Sequence, residues 1–160
     1  RVWQVLSDVE DWGLWWGCRE RSEAVSAAPG RRGSPVVGSA YRHTLRSPLG
    51  YRLQYVIRIA GIEPQRSVDA EASGDLVGRG RAVAEVAGDE ATIRFLWLVE
   101  LSKRWMRWLS PIVLPAFTWA HRRLMADFGA GFTAASGARL VSTEHVALRP
   151  GDASFWVMPE

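Results

Sequence analysis

Two histidines and a tyrosine carry most of the proton chemistry that this sequence suggests. His43 lies in a run that alternates Tyr41, His43 and Leu45 against Arg42, Thr44 and Arg46. His121 falls on the apolar side of a helical repeat, and Tyr55 sits inward on a second alternating run. An imidazole titrates near neutral pH, so in an apolar pocket it can anchor a polar group or pass a proton. The competing reading is a buried histidine satisfied by a neighbour, because buried polar groups are routinely paired. His43, Tyr55 and His121 are therefore catalytic candidates, and a non-catalytic role for the chain is favoured.

Other constellations are missing. There is no Gly-x-Ser-x-Gly, no His-Glu-x-x-His and no cysteine pair, so hydrolase, zinc and redox chemistry lack support. No metal and no cofactor is expected. Gly78-Arg79-Gly80 and Gly129-Ala130-Gly131 lack the third glycine and the strand-to-helix context of a phosphate loop, which makes both structural. Cys18 has no motif around it. As the single cysteine it rules out an intrachain disulfide, which suits a reducing, cytoplasmic setting.

A second set of residues suits an apolar ligand. Tyr41, His43, Tyr55, Ile57, Phe95, Trp97, Phe117, His121, Leu124 and Phe128 all fall on inward faces. Periodicity alone does not separate a pocket wall from a core, since both read as one apolar face.

A third set is basic and aromatic. Lys103, Arg104, Arg107, Arg122 and Arg123 lie between positions 101 and 126 with no acidic residue, and Trp105, Trp108 and Trp119 are interleaved with them. The segment carries +5 of a net +3, which leaves 3 − 5 = −2 for the rest. The basicity is local and does not point to nucleic acid. Arg104, Trp105, Arg107 and Trp108 are candidates for contact with an anionic membrane interface. The alternative is a solvated helix face with its tryptophans packed inward.

The elements that must position these residues follow from hydrophobic period. Val2, Val5 and Leu6 have helical spacing, and Trp12, Trp15 and Trp16 follow on a short second helix ended by Gly17. From 18 to 101 the period is two, which predicts strands at 18–27, 38–46, 51–59, 66–73, 77–86 and 91–101. Turns are expected at 28–35, 47–50, 62–65 and 88–90. Short connections imply an antiparallel meander, and one apolar face implies a sheet covered on one side. A short helix is expected at 102–109, interrupted at Ser110-Pro111. A long helix follows from Pro115, with Phe117, His121, Leu124, Phe128 and Phe132 on one face. The stretch 140–160 shows no sustained period and reads as a poorly ordered tail.

Size agrees with one domain. The chain has 160 residues, of which 48% are hydrophobic and 23% charged, within the globular range. Nine tryptophans suggest aromatic-lined surfaces as well as core. No run of 18 apolar residues is present, and the apolar stretch 108–120 is too short to span a bilayer.

Val2-Trp3, Leu6, Asp8, Asp11-Trp12 and Trp15-Trp16 resemble the opening helix motif of the polyketide cyclase/dehydrase and lipid-transport family, in the START-like (SRPBCC) superfamily. The order of elements over 1–139 resembles that family as well. The resemblance implies an α+β helix-grip fold, with a curved antiparallel sheet around a long C-terminal helix. It also implies a cavity between sheet and helix for a lipid, a polyketide or another aromatic molecule. The family opens with a strand before the first helix, so a missing first strand and an exposed sheet edge are expected here. Small inward residues (Ala70, Ala72, Gly80, Ala82, Ala84) leave room for a ligand. The expected function is binding or transport of a hydrophobic small molecule, with an aromatic polyketide cyclase or dehydratase as the alternative.

Overall fold

The computed structural model describes residues 1–25, 36–88, 90–102 and 104–144, apart from the side chains of 19, 101, 104–114 and 117. Two short helices, α1 (Val2–Ser7) and α2 (Trp12–Trp15), open the chain. Six strands follow: β1 (Arg19–Ala24), β2 (Ala40–Arg46), β3 (Arg52–Glu63), β4 (Ser67–Gly74), β5 (Leu76–Ala87) and β6 (Glu90–Leu101). They form one antiparallel meander in sequence order, with β1 and β6 at its edges. The helix α3 (Arg104–Ser136) closes the fold.

Side-chain alternation produces the sheet's two faces. Along β3, Leu53, Tyr55, Ile57 and Ile59 are buried, while Arg52, Gln54 and Arg58 are exposed. The register aligns like with like: His43 opposite Tyr55, Ile57 opposite Ala72, and Ala82 opposite Phe95. The cover thins toward β6, where Trp97 is 37% exposed. Asp69 and Arg81 pair across β4 and β5, with the guanidinium donating to both carboxylate oxygens at 2.5 and 2.9 Å.

Two sequence expectations need correction. The turn expected at 62–65 starts later, at 64, because a bulge between Ile59 and Gly61 restores the pairing of Ile62 with Val68 and Glu63 with Ser67. The expected break at Ser110-Pro111 is also absent, and α3 runs through Pro111 and Pro115 for 33 residues. A proline removes one amide donor, but its fixed φ is itself helical, so the chain carries on past the lost bond. The loop at 28–35 and most of the tail lie outside the described residues.

The core lies between the sheet and the helices. Leu6 and Val9 descend from α1 and the turn after it, Trp16 follows α2, and Phe128 and Phe132 come from α3. α3 packs on α1, α2 and β6. Among the described residues, no helix is long and apolar enough to cross a membrane.

Candidate functional site

The sequence sends an unusual density of rings into the space between sheet and helix. Phe128 lies at the centre of them. Its ring meets Phe95 at 5.0 Å, Trp16 at 5.1 Å, Trp15 at 5.3 Å and Trp12 at 6.5 Å, all in edge-on geometries. Such contacts suit the ring quadrupole and add about 0.5–1.5 kcal/mol per pair beyond area burial. The indole N–H groups are also used. Trp12 Nε1 donates to the Leu6 carbonyl at 3.1 Å, and Trp16 Nε1 donates to the Leu124 carbonyl at 3.1 Å. These two bonds tie α1 to α2 and α2 to α3.

Beside this cluster is an apolar cavity of about 50 Å³. Leu6, Ser7, Val9 and Trp12 form one wall, and Ile57, Ile59, Val68 and Ala70 another. Gly80, Arg81, Ala82, Phe95 and Trp97 complete it. The small residues explain why space remains. A Cβ on Gly80 would stand 3.0 Å from the Trp97 ring, so the glycine lets that indole lie flat on β5. Trp97 is the wall nearest solvent.

The expected pocket residues separate into groups. Ile57, Phe95 and Trp97 line the cavity. Tyr41, His43, Tyr55 and Phe128 are buried in the packed core beside it, and Leu124 is half-buried. The side chain of Phe117 lies outside the described residues, as do those of Arg104, Trp105, Arg107 and Trp108. His121 corrects an expectation: it is exposed, although the helical repeat puts it within about 20° of Phe128, while Ala120, Phe128 and Phe132 are buried. The cavity is likewise not bounded by any described residue of α3. The α1–α2 segment fills that side instead.

His43, Tyr55 and His121 therefore do not form one group. His43 is fully buried, with Nδ1 3.0 Å from the Ser22 hydroxyl and its ring 5.5 Å from that of Tyr55. Trp12 stacks on the imidazole at 6.2 Å and 13° and also lines the cavity, so one indole is the shared wall between histidine and void. Burial pushes the Tyr41 hydroxyl above its ordinary value, and Glu10 and Asp8 add to the shift against an opposing hydrogen bond with Ser39. Asp69 holds Arg81 still more firmly in its charged form.

Leu6, Ser7, Val9 and Trp12 are cavity residues that sequence reasoning missed. Leu6 and Trp12 were placed only on the opening helices, where helical spacing fixes a buried face and not what that face covers, and Ser7 and Val9 gave no signal. No group of His, Cys, Asp and Glu among the described residues has a metal-binding arrangement.

No family model matches the sequence, and no curated protein sequence matches it. The structure is similar to that of the Zhui aromatase/cyclase from Streptomyces sp. R1128, with a TM-score of 0.60 and 16% identity over 84% of each chain. At that identity the likeness shows the fold, and the fold of this chain is an α+β helix grip.

Proposed function

We propose that this protein binds a hydrophobic small molecule in the space between its sheet and the α1–α2 segment. The observation that carries the proposal is the apolar cavity floored by Ala70, Gly80 and Ala82, positions where small side chains leave room in an otherwise ring-filled core. The fold is shared with an aromatase/cyclase, which supports a ligand of aromatic character. A cavity of about 50 Å³ is smaller than the roughly 300 Å³ or more typical of a ligand site. Occupancy therefore requires the indole of Trp97, already part exposed, to swing outward. Titration with anthraquinone and with palmitate tests the proposal. Binding of at least one is expected, weakened about tenfold or more when Ala70→Val and Ala82→Val fill the floor while the circular dichroism stays native. Failure of both compounds to bind the parent protein would overturn it.

A second reading, an aromatic cyclase or dehydratase, draws on the buried pair His43 and Tyr55 behind the Trp12 wall. It predicts that His43→Gln abolishes turnover of a confirmed substrate while leaving affinity for that substrate within about threefold. Unchanged turnover would exclude it.

A further inference from the structure

A large aromatic side chain of α3 faces solvent. Trp119 is 56% exposed, so the alternative in which that residue packs inward does not hold. At 100° per residue it lies about 180° from Phe128, the centre of the core cluster. The same repeat places positions 105, 108, 112 and 115 within about 40° of Trp119 along the helix backbone. Those positions are Trp105, Trp108, Ile112 and Pro115. Arg104 and Arg122 flank the line at about 60° on one side, and Arg123 lies at about 40° on the other. Pro115, Thr118, Trp119 and Arg122 bound a shallow surface hollow. Among the described residues around the hollow, Pro115, Thr118, Trp119, Arg122 and Arg123 are all exposed, so the indole stands among basic side chains.

We propose that this face of α3 seats on an anionic lipid surface, the helix lying in the plane of the interface with Trp119 at headgroup depth. Three observations select that occupant. The segment from 101 to 126 holds five basic and no acidic residues, while the rest of the chain is net negative, which complements an anionic plane and orients the molecule on it. A second copy packed on the same face would set like charge against like in a two-fold contact. Pro115, on the rim of the hollow, offers a nucleic acid neither stacking nor charge, whereas an acyl boundary accepts it. Arg123 has a carboxylate nearby, Asp127 at 3.7 Å, so Arg122 carries more of the free charge. The surface is separate from the cavity, and its test does not depend on any ligand.

Co-sedimentation with phosphatidylcholine vesicles, with and without about 30% phosphatidylserine, tests the inference. Binding is expected only with phosphatidylserine, falling about tenfold or more on raising salt from about 50 to 500 mM, where the screening length becomes a few ångströms. Arg122→Glu with Arg123→Glu should reduce binding by a similar factor, and Trp119→Ala should reduce it severalfold. Both variants alter exposed side chains, and near-native circular dichroism confirms that they fold. Overturning outcomes are no binding to either vesicle, equal binding to both, or binding unchanged in the variants. Two others also overturn it: retention by a single-stranded oligonucleotide without vesicle binding, or a concentration-dependent dimer abolished by Trp119→Ala.

Discussion

Gly131 has no room for a side chain. A Cβ there would press into the backbone carbonyl of Trp15, where α3 meets the end of α2. Backbone against backbone has little freedom to shift, so Gly131→Ala should lower stability by about 1–3 kcal/mol despite alanine's better helix propensity. The urea midpoint measures this, and a gain in stability would show that α2 sits farther from α3. Tyr41 makes a pH-dependent contribution. Its folded pKa lies above the ordinary 10.0 because the burial and the carboxylates of Glu10 and Asp8 disfavour the phenolate. Below about pH 10 both states hold the proton; above it the unfolded chain releases the proton first, so stability falls until the folded phenol ionises. The denaturation midpoint should thus decline as pH rises above about 10, and Tyr41→Phe should flatten that decline. His43 shows how far residue types alone can be read. Its inward position followed from alternation, but its partner Ser22 lies on a different strand, and pairing across β1 and β2 is set by register.

At the scale of elements, the described residues of α3 are held by the rings of Phe128 and Phe132 and by the indole bond from Trp16 to Leu124. Phe128→Ala removes the ring on which Trp12, Trp15, Trp16 and Phe95 converge. The expected loss is about 3–5 kcal/mol, the range for deleting a buried aromatic. Hydrogen exchange should show amides of α3 losing protection more than those of β2 and β3; equal loss everywhere would mean the helix and sheet open as one unit. The strands were legible in the sequence because strict alternation, as from Leu53 to Ile59, gives a strand one buried face and would scatter apolar residues around a helix. The α3 boundary was not, because proline is a strong local breaker and the helix overrides it at two positions. The phase of the helix was half legible. Phe128 and Phe132 were placed inward correctly, but His121, which shares their side of the helical repeat, is exposed.

For the whole molecule, the order of elements was enough to suggest a helix grip, and the likeness to the aromatase/cyclase bears that out. What the sequence could not show is which layer fills the grip. Nine tryptophans announced a need for aromatic surface. Only the three-dimensional packing shows that those of the opening helices occupy the inner space and that Trp119 of the closing helix faces out. The small residues of β4 and β5 then matter, because they leave a void that the indoles of Trp12 and Trp97 border without filling. Methyl-resolved NMR of the protein during titration with anthraquinone tests this account most directly. Shifts concentrated at Ala70, Ala82, Ile57, Val68 and Leu6, with Trp97 moving, are the result expected. Shifts confined to the outer face around Trp119, or none at saturating compound, would contradict it.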